Sequence, residues 1–489
     1  MGRKDIEARS IKDHADRLRG TKMHLSIDNY VTGMPADVQA KLQKLFDVFN
    51  THRAKNNKKN KYYEGCISLG DVNLGIALPH GMRGLEIGCA WGAKAVDVLA
   101  GRSVFDGFVG ANGNEVYELD SIVINNNLIA EYEKACRDEL KYGCTFATLS
   151  KDDNGCKIRF HSPQTASAVW DGEKGRIAYG MAIIDTAPAN DAEWTPTRIN
   201  MYTDDAVWVL IRTDAGWISE EYPHKMGRPL MEALIWNATS NKPFGRSRIK
   251  EPVRRLIDGY VRTIANATIG LEFATSPQKY LLGVTDDQFD AVVNDKFRQY
   301  VGSIIAATTN PETGEKPSFG QLPQGSIVPH VEMIRVLATQ FSAATGLSVT
   351  DTGVVNEANP TSSDAILAQS QTLIAMAEQL NVSNGDALRT IGLMATAIVN
   401  DVGLDELTAE QRDIVAHFKN PAMPSVAMTA DAAIKIASAR PEFAATDTFL
   451  EMIGFDKADI RRIKAQEQRQ RGMAVLDEVL NESSTENVE

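Results

Sequence analysis

The stretch from Phe244 to Pro360 constrains this chain most. It reads as two long helices bracketing a small insertion, then a loop and a third long helix. The first helix opens after Phe244-Gly245-Arg246-Ser247, and Pro252 suits its first turn, where no backbone N–H is needed. Val253, Leu256, Ile257, Tyr260, Ile264 and Ala267 recur at helical spacing. The second helix carries Ile334, Leu337, Ala338 and Phe341 and stops at Gly346. Between them lie roughly fifty residues with strand and turn signals and one short helix. Two helices joined by a compact insertion predict a protrusion on a larger body. A protrusion of that kind meets a partner, and nothing in it has the makeup of an active site.

The body has ample chain to form a core. With 489 residues, two or more core-bearing domains are expected. No apolar run approaches the ~20 residues that span a bilayer. The charged start Met1-Gly2-Arg3-Lys4-Asp5 leads into no apolar segment, so no secretory signal is expected, and Ile6 stands where a myristoylation motif wants Ser or Thr. The five cysteines have no CxxC spacing and read as reduced thiols, with a Cys144–Cys156 pairing across a hairpin as the alternative. The net charge of -12 argues against a tight nucleic-acid binder, whose affinity comes from neutralising phosphates. It is compatible with a protein past which DNA slides.

Along the chain, residues 1–60 are polar and helical. A helix from Pro35 carries Val38, Leu42, Leu45, Phe46 and Phe49 and runs into the basic stretch Arg53–Lys61, read as a solvated helix end or loop. A helix ends near Ala100. Asp120-Ser121 opens another, whose Asn125, Asn126 and Asn127 suit capping and surface positions. From Tyr142 to Ile218 the period changes to two. Asn154-Gly155 joins Cys144–Leu149 to Cys156–Phe160 as a hairpin, and strands follow at Ala166–Asp171, Ile177–Ile184, Arg198–Tyr202, Ala206–Arg212 and Gly216–Ser219. This predicts an antiparallel sheet of about six strands. Beyond the loop, Thr361-Ser362-Ser363-Asp364 caps a long helix that Asn384-Gly385-Asp386 is expected to interrupt. Residues 405–489 read as mainly helical, with helices at Thr429–Ala439, Ala445–Ile453 and from Lys457 to about Leu480 and a disordered tail from Glu482.

Catalytic patterns are missing. There is no GxxxxGK[ST], HExxH, GxSxG or strand-bound GxGxxG, and the eight histidines are scattered singly. Asp204-Asp205 sits at a turn and Asp286-Asp287 in the first turn of a short helix, where carboxylates serve the backbone and the helix dipole. No base has a partner, so neither a catalytic nor a metal site is expected.

Taken in order, several segments resemble the portal proteins of tailed bacteriophages, in particular the siphophage type. They are Tyr62-Tyr63-Glu64-Gly65 with Leu74–Pro79, Leu140–Ala147, Phe244–Ile249 followed by Ser276–Gly283, Val331–Gly346, and Asn359–Ala365. Thr429–Lys435 with Leu450–Gly454 is a weaker match. The resemblance implies an α+β portal fold. Residues 1–246 would form a mixed α/β wing, 247–272 and 326–346 the two stem helices, and 273–325 a small α/β clip. Residues 347–361 would form the channel loop, 362–404 a long wing helix and 405–489 a mainly helical crown with its tail.

The resemblance further implies a ring, typically of a dozen subunits, at a capsid vertex. Double-stranded DNA would pass through it, terminase and head–tail connector proteins would dock on the clip, and major capsid protein would surround it, with no membrane and no cofactor. Expected channel-loop residues are Val349, Thr350, Asp351, Asn356 and Glu357. Arg248, Lys250, Arg254, Arg255 and Arg262 would face either the duplex or carboxylates of a neighbouring subunit. Lys316, Phe319, Gln321 and Leu322 would contact partners at the clip. The rival readings are another virion structural protein, such as a connector or capsid subunit, and a carboxylate-based hydrolase.

Overall fold

A computed structural model describes residues 31–72, 86–110, 117–152, 155–190, 193–275, 279–282, 314, 316, 318–321, 326–354, 363–422, 426–455, 459–460, 462–470 and 472–473. The fold is α+β. Helix α1 (Ala36–Glu64) leads to a small pair, β1 (Cys66–Ser68) with β2 (Glu86–Gly88). Helix α2 (Trp91–Ala100), strand β3 (Phe105–Gly110) and helices α3 (Tyr117–Asn125) and α4 (Leu128–Tyr142) follow. Helix α1 carries Leu42, Leu45, Phe46 and Phe49 on one buried face, as their spacing predicts. Gly92 lets α2 cross α1, since a Cβ there would overlap the Tyr62 carbonyl.

The period-two region divides into two antiparallel sheets instead of one. β4 (Cys144–Asp152) lies between β5 (Gly155–His161) and β11 (Met231–Ile235). β6 (Ala166–Asp171), β7 (Arg176–Asn190), β8 (Glu193–Tyr202), β9 (Ala206–Thr213) and β10 (Gly216–Pro223) form the other sheet in sequence order. Alternation tells that a run is extended and half-buried. It does not tell which run lies beside it, and β11 comes from beyond the region where alternation is clear. The five-stranded sheet is buried on two sides, in a core of its own and in the main one. Leu42, Leu45, Phe46 and Phe49 of α1 pack with Met181, Ile199, Met201 and Leu210 of the five-stranded sheet. The three-stranded sheet joins the main core under α2, α4 and the long helix.

Register also rules out the cysteine pairing. Cys156 lies opposite Lys151, while Cys144 lies opposite Ile235 at the far end of β4, and all five thiols are free. Asn126 is no surface residue. Its amide donates to Ile122 O and Cys156 O, and its side-chain oxygen accepts from Ile158 N, tying α3 to β5. The basic run is not merely solvated either. Lys59 donates to Tyr142 O at 2.7 Å, and burial pushes its ammonium down to about 8.

Helices α5 (Glu251–Thr275) and α6 (Val328–Thr345) are the two long helices around the insertion. Strands β12 (Lys279–Leu282) and β13 (Ser318–Gln321) pair antiparallel within the insertion. Helix α7 (Ser363–Asn400) runs without a break through Asn384-Gly385-Asp386. The expected interruption fails because Asn384 is fully buried and hydrogen-bonded, and a mid-helix glycine costs only about 1 kcal/mol. The C-terminal part contains a strand that periodicity missed. After the short helix α8 (Ala409–Arg412), β14 (Ile414–Phe418) pairs antiparallel with β3, more than 300 residues earlier. Helices α9 (Val426–Ala439) and α10 (Asp447–Ile453) come next.

Candidate functional site

The root of the two-helix unit is where sequence-predicted residues converge. Helix α5 buries Val253, Ile257, Val261 and Ala265, and α6 buries Leu337, Ala338 and Phe341. Gly259 lets the two approach, since a Cβ there would sit 3.1 Å from the Leu337 side chain. Trp91 of α2 caps the pair. Its ring lies 4.6 Å from Tyr260 and 4.9 Å from Phe341, and its indole N–H donates to Thr352 O at 3.2 Å. One indole therefore touches both helices and the loop that leaves α6.

Arg248 is the second tie. It lies just before α5 and is 8 % exposed. Its Nη2 donates to Thr345 O at 2.6 Å and its Nε to Ala95 O. Its Nη1 lies 3.6 Å from Met376 Sδ of α7. No carboxylate is paired with it among the described residues, and burial pulls its guanidinium down to about 10, still charged at neutral pH. Arg248 thus knits α2, α6 and α7 together, and its guanidinium is used within its own chain. Ser247 prepares the turn by donating to Lys141 O at 2.5 Å and accepting from Ile249 N at 2.9 Å.

The other cations differ among themselves. Arg254 donates to Ile249 O at 2.8 Å and pairs with Glu251, and Arg255 donates to Glu251 Oε1 at 2.9 Å. The Arg254 hydrogen bond, helped by both guanidinium charges, holds the Glu251 carboxyl below its usual range. Arg262 has a buried Nη1 with no partner among the described residues, and Lys250 is exposed. Asp258, which sequence reasoning passed over, accepts from Tyr62 OH at 2.6 Å. Burial raises its carboxyl, opposed by that hydrogen bond.

The first half of the loop folds back on the body. Leu347 is buried, and Thr350–Thr352 make one 3-10 turn closed at Gly353. Asp351 Oδ2 accepts from Ser348 N at 3.0 Å and Ser348 Oγ at 2.8 Å, so its carboxylate shapes the turn. Val349 is half-buried and Thr350 exposed. Asn356 and Glu357 lie outside the described residues. In the insertion, Lys316 is exposed, Phe319 pairs with Leu281 and Gln321 with Lys279, and Leu322 lies outside the described residues. Trp91 and Thr345 are the tying residues that sequence reasoning missed. Trp91 lies outside the segments that carry the resemblance and Thr345 inside one, and only their three-dimensional neighbours mark their roles.

Among the described residues, no group of three or more His, Cys, Asp or Glu side chains could hold a metal, and no helix is long and apolar enough to cross a membrane. The fold and site define an α+β protein with a two-helix unit rooted on a mixed body. A family model described as phage portal protein, SPP1 Gp6-like, matches residues 42–473, and the chain belongs to that family. It is a structural component of a phage-type virion, at its portal. No curated protein matches it. Similar solved structures include the neck of a native GTA particle computed with C12 symmetry. That chain is 10% identical, with 75% of this chain and 89% of that one covered and a TM-score of 0.42. The neck of an empty GTA particle computed with C6 symmetry is 11% identical, with 75% and 90% covered and a TM-score of 0.43.

Proposed function

We propose that this portal protein closes into a ring of about a dozen copies, through which double-stranded DNA passes during packaging and ejection. Residues 1–246 and 362–404 make the wing that meets the major capsid protein. Residues 247–272 and 326–346 are the stem, 273–325 the clip and 405–489 the crown. The clip, through Lys316, Phe319, Gln321 and Leu322, docks terminase and later the head–tail connector.

The exposed apolar surface of α6 supports this reading. Val328, Val331, Met333 and Val336 are 42–61 % exposed and lie on both flanks of the helix, where copies on either side would cover them. Arg262, with its orphan Nη1, and exposed Lys250 are cations available to a neighbour's carboxylate or to phosphate. Electron microscopy of the purified protein tests it. Rings with a central hole of DNA width are expected, and a monomer at micromolar concentration under every salt condition would overturn the proposal.

The charge of the channel loop offers a second test. Its residues 347–361 contain Asp351 and Glu357 and no Lys or Arg, so passing phosphates would find no deep binding well. Replacing Glu357 by Lys, together with Asp351→Asn to keep an oxygen accepting from Ser348, is expected to spare ring assembly. It should slow DNA passage, most at low salt. Weakened rings with unchanged translocation would place the loop in a subunit interface instead.

A further inference from the structure

A cavity of about 580 Å³ opens between the two sheets, in the range of ligand pockets. One wall is the end of β4 and the last turn of α7. The facing wall is β8 and β9, and the segment from Tyr222 to Met226 closes the side. Its floor is apolar, with Leu149, Val209, Met226 and Ile398 each less than a tenth exposed. Whatever fills it would touch both the three-stranded sheet of the main core and the five-stranded sheet at once.

The rim is cationic. Lys151, Arg198 and Lys225 face one carboxylate, Asp401, so three positive charges minus one negative leave two in excess. Asp401 is engaged by Lys151 at 3.0 Å. Lys225 also acts on Asp401 through its charge, without a hydrogen bond, and no hydrogen bond or ion pair holds the Arg198 guanidinium among the described residues. Glu220 accepts from Tyr222 OH at 2.8 Å, and the Arg198 charge acts on that same hydroxyl. Such a rim stands out in a chain whose net charge is -12. The wall also holds an unmet acceptor, since Asn200 Oδ1 is buried without a donor. A buried acceptor is costly until a donor reaches it.

Three demands are thus set together: a negative charge at the rim, an apolar group on the floor and a hydrogen-bond donor at Asn200. We propose that this cavity docks a short acidic–apolar peptide segment of a partner protein. Its carboxylate sits between Arg198 and Lys225, its apolar side chain lies on the Leu149–Ile398 floor, and a backbone N–H serves Asn200. A plain amphiphilic anion meets the first two demands and lacks the third. The proposal goes beyond ring formation and does not depend on it.

The test is isothermal titration of the purified full chain with the tetrapeptide N-acetyl-Leu-Glu-Leu-Glu amide and, separately, with octanoate. Saturable peptide binding is expected, at least tenfold tighter than octanoate, weakening as salt rises. Arg198→Glu with Lys225→Glu should weaken it at least tenfold. Both positions are exposed, so unchanged circular dichroism is expected for the variant. Octanoate binding as tightly as the peptide would assign the cavity to a small anion and overturn the peptide reading. Absence of saturation, or indifference to the charge reversal, would overturn the site itself.

Discussion

Replacing Glu139 by Gln is expected to stabilise this protein at pH 9 and to change little at pH 4. Glu139 and Asn384 are both fully buried, between α4 and α7. Asn384 Nδ2 donates to Tyr132 OH at 2.9 Å and to Glu139 Oε2 at 2.8 Å. Ser103 Oγ donates to Asn381 Oδ1, so the hydrogen of Tyr132 OH goes to Ser103. The hydroxyl hydrogens of Ser103 and Tyr132 and the Asn384 amide hydrogens are then spent, yet Glu139 Oε1 and Asn384 Oδ1 have no donor. A proton on Glu139 supplies the missing hydrogen. The groups beside it are Tyr132, Cys136 and Asn384, none cationic, and burial pushes its carboxyl from 4.5 up to about 8, with the Asn384 hydrogen bond opposing.

The sign follows from proton counting. Below about 4.5 both folded and unfolded chains hold this proton, and nothing is lost. Between 4.5 and about 8 only the folded chain holds it, so stability falls as pH rises. Above about 8 both forms are ionised and the loss is complete, at most roughly 5 kcal/mol. Glutamine carries its own N–H, so it removes this dependence. Urea midpoints of the two proteins should converge near pH 4, separate between about 4.5 and about 8, and stay apart by a constant amount up to pH 9. Parallel curves across that range would show that Glu139 is ionised in the fold or reaches a cation.

Arg248→Met is expected to destabilise the body by about 1–3 kcal/mol, chiefly through a helix-end carbonyl left without its donor. Methionine matches much of the stem and removes the burden of a desolvated charge, which limits the loss. It leaves Thr345 O unpaired at the end of α6 and takes away the second hydrogen bond that Ala95 O accepts besides its helical one in α2. Arg248→Lys should rescue little, since one ammonium does not reproduce a planar fork reaching two carbonyls. Amide exchange over residues 345–354 should quicken in both variants, because the C-terminus of α6 loses its tie to α2 and α7. Unaltered exchange there, with stability unchanged, would mean the guanidinium is dispensable.

Much of the local structure was legible from residue order. Helix α5 follows from its spacing of Val253, Ile257 and Tyr260, and α6 from Leu337 and Phe341 with Gly346 in left-handed conformation at its end. The strands β6, β9 and β10 begin at their predicted residues, because alternation and Asp-Gly or Asp-Ala-Gly turns are properties of neighbours in sequence. The family resemblance was legible too, in the order of weak segments.

Other features depended on residues far apart in the chain. Strand β14 is five residues long and becomes a strand because β3 offers it a partner. Asn384 reads as a helix breaker until Tyr132 and Glu139 occupy its amide. Arg248 reads as a surface cation until Ala95 and Thr345 present their carbonyls to it. Periodicity and turn chemistry fix backbone conformation over a few residues, and the sequence alone determined that much. Burial, sheet partners and the duty of each charged group are set by contacts across hundreds of residues, so only the tertiary structure decided them.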